Sequence, residues 1–366
     1  MYVWELPDWP AFAWNHGRLV EILAAARHRQ GLLLGRMQAL GFRLQEEASL
    51  KALTEDVLKS SEIEGETLDA AQVRSSIARR LGLDVAGLVP AERQVEGIVE
   101  MMLDATQKFD RPLTRERLFA WHAALFPTDR SGMTRIAVGG RRNDRTGPME
   151  VISGPVGKER VHFTAPPASR LDSEIDRFLA WFNGENRLDP VLKAGEAHLW
   201  FVTIHPFDDG NGRIARAVAD MALARAENTR QRFYSMSSQI RQERNAYYDI
   251  LEQTQKGTLD ITDWLEWFLG CFTRAVTSAQ DMLGGVIAKA GFWEKHAAKP
   301  LNERQIKVLN RLLDGFEGNM TTSRWAAISR CSQDTAHRDI VELVERGLLK
   351  KNRSGGRSTS YSLVEN

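Results

Sequence analysis

Between Ile204 and Arg216 the chain reads IHPFDDGNGRIAR, placing one imidazole, two adjacent carboxylates, two glycines and two guanidinium groups within thirteen residues. Pro206 excludes His205 from helical backbone, so His205 ends whatever helix precedes it. Asn211 is a good N-cap, and Ile214, Val218 and Met221 give Arg213 to about Ala226 a helical period. The DGNG stretch is then a loop feeding a helix N-terminus. Unpaired backbone N–H groups and the helix dipole make such an end an anion site, and Gly210 and Gly212 remove side chains that would block close approach. Arg213 and Arg216 share a helical face and can reach one polyanion, while Asp209 can hold the divalent cation that a phosphate chain carries. His205 is placed to take a proton from an incoming hydroxyl. These residues describe a site for a nucleoside di- or triphosphate with Mg2+. The competing reading is a proline-ended helix, an Asx-Gly turn and two surface arginines. The spacing is neither a Walker A loop, which ends in G-K-(S/T), nor an EF-hand, which alternates carboxylates.

A second stretch, LKSSEIEGETL from Leu58 to Leu68, poses a different question. Ser61 and Glu64 have capping-box spacing and could start a helix. The helical period through Leu53 and Val57 continues into Ser60, however, Gly65 is a natural left-handed stop, and Asp69 with Gln72 makes a better start for the next helix. Glu64 then belongs to a helix C-terminus, where a carboxylate faces the negative dipole end and is disfavoured by a few tenths to about 1 kcal/mol. A cation from elsewhere would relieve it.

The elements that must position these residues are mainly helical. An N-terminal segment, 1–85, holds two or three helices after an arm carrying Trp4, Trp9 and Trp14, expected to staple the first helix. In the central segment, 86–280, Thr114 can cap a helix through Phe126. Asp189 followed by Pro190 opens a helix running to about Ile204. GPMEVISGPVGKERVHFTAPP alternates apolar and polar residues on both sides of a Gly-Pro-Val-Gly turn and reads as a β-hairpin. After breaks at Gly284-Gly285 and Lys299-Pro300, residues 298–366 read helix, short helix, helix, strand, glycine turn, strand.

His205-Pro206-Phe207-Asp208-Asp209-Gly210-Asn211-Gly212-Arg213-Ile214-Ala215-Arg216 resembles throughout the HPFx(D/E)GNGRxxR signature of the Fic family, and the resemblance extends over roughly Leu113 to Ala275. It implies a Fic-type helical core whose reaction moves AMP from ATP to a hydroxyl side chain (Tyr, Thr or Ser) of another protein. In that family His205 is the general base, Phe207 anchors the loop, and Asp209 binds Mg2+, with Mn2+ as a substitute. Gly210, Asn211 and Gly212 cradle the phosphates, and Arg213 and Arg216 hold the leaving pyrophosphate. The hairpin resembles the family's flap, whose edge docks the target by strand addition, here Val151, Ile152, Ser153, Val161, His162 and Phe163. RNAYYDILE resembles the helix walling the adenine pocket, with Tyr247 or Tyr248 stacking on the base or packing in the core. Ser60, Glu64 and Gly65 fit the family's inhibitory pattern (S/T)xxxE(G/N), in which the glutamate pairs with the second arginine, here Arg216. A capping or solvated Glu64 is the alternative.

The C-terminal segment resembles a winged helix-turn-helix, with Ser332 to Arg346 as the recognition helix. Residues 298–366 carry 12 lysines and arginines against 8 acids. Gln333, Thr335, His337 and Arg338 could face a major groove, and Lys350, Lys351, Arg353 and Arg357 could hold phosphates. Protein docking or dimerisation is the other use of such a module.

Composition sets outer bounds. The 366 residues are 43% hydrophobic and 27% charged, enough for two or three domains with their own cores. Lysine plus arginine number 49 and acids 48, so no global field recruits nucleic acid or membrane. MYVWELPDWP lacks the apolar core of a secretory signal, and no run approaches the roughly 18 apolar residues of a membrane span, so a cytoplasmic protein is expected. Cys271 and Cys331 lack metal or disulfide spacing and read as packed thiols. The expected function is an autoinhibited protein adenylyltransferase with a protein target. The alternatives are a nucleotide-sensing DNA-binding regulator and a Fic enzyme that transfers another phosphate-containing group or removes AMP. A homodimer is compatible with each.

Overall fold

The computed structural model describes residues 1–83, 87–145, 147–155, 157–185, 188–296, 299–313, 316, 318–352 and 359–364. Arg353, Arg357, Val156 of the hairpin turn and the expected segment boundaries at 85, 86 and 298 lie outside the described residues. The chain forms two compact units, 1–279 and 280–366. The first two expected segments therefore fold together.

In the first unit, α1 (His16–Gln38), α2 (Phe42–Ile63) and α3 (Ala70–Leu81) are followed by α4 (Arg93–Gln107) and α5 (Arg115–Leu125). Two short hairpins come next, β1 (Arg130–Ser131) with β2 (Thr134–Arg135), and β3 (Glu150–Ser153) with β4 (Arg160–Thr164). Then come α6 (Leu171–Asn183), α7 (Pro190–Ile204), α8 (Asn211–Glu227), α9 (Met236–Gln242), α10 (Arg244–Gln255) and α11 (Thr262–Lys295). Asp189 caps α7 by accepting from Val191 N–H, with Pro190 at the first helical position. From Val191 to Ile204 nearly every residue of α7 is buried, Lys193 being the half-buried exception, because this helix is wrapped on all sides, most closely by α8.

The tryptophan arm does something other than staple α1. Trp9 is buried, its indole N–H donating to Glu174 on α6 at 2.9 Å and its ring meeting Phe12 and Trp200 edge-on. Trp4 donates to the Thr164 carbonyl at 2.8 Å, and Tyr2 meets Phe163 at 5.2 Å, so the arm holds the base of the β3–β4 hairpin. Only Trp14, beside His16, stays at the start of α1. The nearest large apolar surface to Trp4 and Trp9 is made by α6, α7 and β4, distant in sequence.

A second difference concerns Gly284 and Gly285, which lie inside α11 rather than ending it. Each interior glycine costs a helix about 1 kcal/mol. Buried Val276, Ala279 and Leu283 before the pair and Phe292 after it supply apolar contact along the same helix, which offsets that cost.

The second unit contains the end of α11, α12 (Glu303–Leu313), β5 (Met320–Thr321), α13 (Thr322–Ser329), α14 (Gln333–Glu345), β6 (Leu349–Lys351) and β7 (Ser360–Leu363). The strands form one antiparallel sheet in the order β5-β7-β6. Val308, Leu309, Trp325, Ile340, Leu343 and Leu348 fill its core. Cys271 is buried, Cys331 half-buried, and both are free thiols. No helix among the described residues is long and apolar enough to cross a membrane.

Candidate active site

His205 ends α7 in left-handed backbone, φ 51° and ψ 58°; Pro206 closes the right-handed helical region to the residue before it but does not by itself select this conformation. A non-glycine residue there needs support. Buried Arg142 provides it: its Nε–H donates to the His205 carbonyl at 2.7 Å, its backbone N–H donates to the Pro206 carbonyl at 2.9 Å, and Asp144 holds its other end. The imidazole Nδ1–H donates to the Val202 carbonyl at 3.1 Å. That bond selects the tautomer whose Nε2 carries a lone pair. Burial lowers the His205 pKa to about 4, so the ring is neutral at pH 7 and its Nε2 lone pair is free to accept a proton.

Phe207 is fully buried and stacks on His122, with centroids 4.2 Å apart. The loop beyond it is closed by Asn211, whose side chain accepts from Phe207 N–H at 3.0 Å and donates to the Phe207 carbonyl at 2.8 Å. Asn211 is thus the first residue of α8, and the N-cap is Gly210 at φ 79°. This corrects the expected cap: a side chain bound back to Phe207 cannot also cap forward. A Cβ on Gly210 would sit 2.9 Å from the Phe126 ring. Asp209 accepts from Gly210 N–H and from the Ser131 hydroxyl of β1, leaving a carboxylate at the cavity edge.

Ser60, Glu64 and Gly65 meet the second arginine of the motif. Gly65, at φ 85°, stops α2, and the Glu66 N–H closes the turn on the Ser61 carbonyl at 3.0 Å. Arg216 donates from Nε to Ser60 Oγ at 3.0 Å, and from Nη2 to the Ser60 carbonyl at 2.9 Å and to Glu64 Oε1 at 2.7 Å. The carboxylate lies directly over the backbone that opens α8, since a Cβ on Gly212 would be 2.3 Å from Glu64 Oε1. Arg213 is occupied as well: its Nη1 donates to Glu66 Oε2 at 2.8 Å, and its guanidinium lies over Phe126. Glu66 carries no signal in the sequence, since its contact with Arg213 spans 147 residues. Two further donors, Arg213 Nε and Arg216 Nη1, are buried without a partner.

One cavity of about 630 Å3 joins these groups. Glu64, His205, Asp208, Asp209, Asn211 and Gly212 line one part, and Tyr247, Tyr248, Leu251 and Gln255 of α10 another, with Val151, Ile152, Ser153, His162 and Phe163 of the hairpin over it. Tyr247 is 1% exposed and its hydroxyl bonds His198 at 2.9 Å, whereas Tyr248, at 37%, presents its ring with Arg244 stacked on it. Val161 is 38% exposed on the outer side of β4, and Phe163 is buried. Glu252, Arg142, Ser131 and His122 also shape the site and carry no signal in the motif itself.

Residues 112–223 match the Fic/DOC family, and residues 2–83 match a family described as a domain of unknown function, DUF4172. A protein adenylyltransferase Fic from Culex quinquefasciatus is 28% identical over 233 residues, covering 63% of this chain and 42% of the relative. One from Drosophila grimshawi is 27% identical over 235 residues, covering 61% and 42%. The chain spans about two fifths of the length of these relatives. A Fic family protein from Desulfovibrio desulfuricans G20 shares the fold with a TM-score of 0.55 at 20% identity, over 98% of both chains. A Fic domain containing signaling protein from Bacteroides thetaiotaomicron VPI-5482 gives a TM-score of 0.52 at 22% identity, over 73% of this chain and 97% of the other. With a complete signature beside one cavity and a fold shared with these proteins, residues 112–223 of the chain form a Fic/DOC-family domain.

Proposed function

We propose that this protein transfers AMP from ATP to a hydroxyl side chain of a protein target, and that Glu64 holds the transfer at a low resting rate. The observation that carries the reading is that His205, Asp209, Asn211 and Gly212 line one cavity of nucleotide size, with the buried Arg213 and Arg216 on the first turns of the helix that begins there. The relatives named protein adenylyltransferase support AMP as the transferred group.

The N–H groups opening α8 and the guanidinium groups of Arg213 and Arg216 take the phosphates, and the aromatic wall of α10 takes the base. His205 Nε2 removes the proton from the target hydroxyl as its oxygen attacks the α-phosphorus. Arg142 and the Val202 carbonyl keep the imidazole aimed. Asp209 is the residue for Mg2+, or Mn2+: its carboxylate lies beside the cradle and is 42% exposed. Among the described residues no cluster of three metal-ligating side chains exists, which suits an ion completed by substrate phosphates and water. Such an ion neutralises phosphate charge when bound.

Target docking by strand addition is supported by the β3–β4 pair, whose exposed Ile152 lines the cavity and pairs with exposed Val161. The order of α12, α13, α14, β6 and β7 supports a winged helix-turn-helix with α14 as recognition helix. Gln333, His337 and Arg338 are exposed on α14, Thr335 is half-buried, and Lys350 and Lys351 are exposed on β6. Asp334, Glu342 and Glu345 on the same helix favour a protein partner over DNA.

The test is a panel of α-labelled nucleoside triphosphates with a cell lysate and Mg2+, comparing the parent chain and Glu64→Gly, with labelled residues mapped by mass spectrometry. ATP label on hydroxyl residues of other proteins, stronger with Glu64→Gly, is the expected result. Label from another nucleotide reassigns the group, and release of AMP from pre-labelled protein reassigns the direction. Duplex binding without transfer leaves a DNA-binding regulator.

A further inference from the structure

The end of α2 carries four carbonyls that no residue of its own helix can satisfy, those of Ser60, Ser61, Glu62 and Ile63. Two of them close the turn locally: Ser61 accepts from the Glu64 and Glu66 N–H groups at 3.1 and 3.0 Å, and Glu62 accepts from the Gly65 N–H at 3.1 Å. Guanidinium groups of two other helices take the remaining pair. Arg216 Nη2 of α8 donates to the Ser60 carbonyl at 2.9 Å, and Arg244 Nε–H of α10 donates to the Ile63 carbonyl at 2.9 Å. The Tyr248 hydroxyl reaches the same Ile63 oxygen at 3.4 Å, and the Arg244 guanidinium lies 5.1 Å from the Tyr248 ring centroid. The peptide plane joining Ile63 to Glu64 is therefore pinned at both ends, its oxygen on Arg244 and its hydrogen on Ser61. The body of α2 is held elsewhere, through buried Asp56, which accepts from Ser235 Oγ at 2.5 Å and from Ser237 N–H at 3.0 Å.

We propose that Arg244 is a positioning residue for the inhibitory turn: by holding the Ile63 carbonyl from the aromatic wall, it keeps Glu64 on Arg216. The proposal rests on the inhibitory reading of Glu64 given above. A planar peptide fixed at its oxygen and its hydrogen fixes the direction in which Glu64 leaves the helix, and so aims the carboxylate. Without Arg244 the Ile63 carbonyl is an orphan at the negative end of the helix dipole, the turn frays, and Glu64 loses the geometry of its bond to Arg216. The same guanidinium covers Tyr248, the exposed ring of the aromatic wall, and both residues line the cavity. A base stacking on the ring surface that Arg244 covers displaces the guanidinium and, with it, the bond to Ile63. Base binding then loosens a turn that phosphates alone leave in place. Arg244 acts on transfer through Glu64 and is not a catalytic residue.

The full-length chain is tested by hydrogen exchange of the Glu64, Gly65 and Glu66 amides without nucleotide, and by transfer from α-labelled ATP to lysate proteins with Mg2+. Arg244→Ala is expected to speed exchange in that turn about tenfold, while amides from Leu50 to Val57 in the body of α2 keep the parent rate. Arg244→Lys, which keeps a cationic donor, is expected to restore the protection. Transfer is expected to rise about threefold or more with Arg244→Ala, and to gain nothing when that change is added to Glu64→Gly. In the parent, a non-hydrolysable ATP analogue is expected to speed exchange of the turn about threefold more than inorganic tripolyphosphate, a difference that disappears in Arg244→Ala. Thermal midpoints show whether each variant folds, and Arg244→Gln serves if the alanine variant does not. Parent-like exchange in Arg244→Ala, faster exchange along the whole of α2, or further activation of Glu64→Gly overturns the proposal. Equal effects of the analogue and tripolyphosphate in the parent overturn the link to the base. Activation by Glu64→Gly without activation by Arg244→Ala overturns this proposal and leaves the proposed function standing, whereas no activation by Glu64→Gly overturns the inhibitory reading and this proposal together.

Discussion

Glu66 Oε2 stands 2.8 Å from Arg213 Nη1, two residues beyond the Glu64 carboxylate that binds Arg216. Both arginines of the motif are therefore engaged by acids of a single turn. Gly65 at φ 85° makes this possible, because the left-handed step lets residues on both sides of it face α8. The side chains of Glu64 and Glu66 are 28% and 33% exposed, against 1% for each arginine. On the proposed function, a phosphate entering here would displace reachable carboxylates from fixed guanidinium groups.

Glu64→Gly is expected to raise AMP transfer at least tenfold, because Arg216 cannot satisfy a carboxylate and a γ-phosphate together. Glu66→Ala alone is expected to tighten nucleotide binding a few-fold, and combining the two is expected to exceed either. Isothermal titration with a non-hydrolysable ATP analogue and rates of label transfer check both. Arg216→Ala should stay inactive in every combination. A double variant no better than Glu64→Gly would leave Glu66 as a surface ion pair.

His205→Ala is expected to lower transfer to other proteins by about 10² to 10⁴ while nucleotide affinity stays within a few-fold. The ring touches no phosphate-holding group, and its tautomer is set by Val202. Equal labelling by variant and parent would remove the base assignment.

Acid should destabilise the first unit through buried neutral histidines. Burial lowers His205 and His122 to about 4 and His198 to about 3. Unfolded histidine titrates near 6.5, so below that pH the unfolded chain binds protons that the folded one refuses. Stability contributed in this way is intact above about pH 7 and is lost as pH falls from 6.5 towards 4, by an amount on the order of several kcal/mol for the three groups together. Urea midpoints measured at pH 7.5 and pH 5 check the sign.

Gly97→Ala is expected to destabilise the fold by ~1–3 kcal/mol or more through overpacking. Gly97 lies where α4 crosses α5, and an added Cβ would fall 1.8 Å from the Ala124 carbonyl oxygen. Relief requires moving α5, which carries His122 and leads into Phe126 beneath the nucleotide loop. Chemical denaturation gives the magnitude, and loss of nucleotide binding at temperatures where the variant is folded would show the movement reaching the site.

The parts of the protein legible in sequence were those governed by neighbours along the chain. The proline after His205, Asp189 before Pro190, Thr114 ahead of α5, Asp69 ahead of α3 and Gly65 at the end of α2 act within one helical turn, and each does what its local chemistry dictates. The hairpin strands likewise follow from alternation and a glycine turn. Tertiary structure decided which partners satisfy the buried polar groups. Local rules propose Asn211 as a cap, yet its amide closes the loop on Phe207. Trp4 and Trp9 are apolar rings near α1 in sequence, yet the surface that buries them belongs to α6, α7 and β4. Glu66 on Arg213, Arg142 on the His205 carbonyl and Glu252 on His162 have no sequence period, because burial of a charged or polar group sets the need for a partner and only the packing of helices determines which residue arrives.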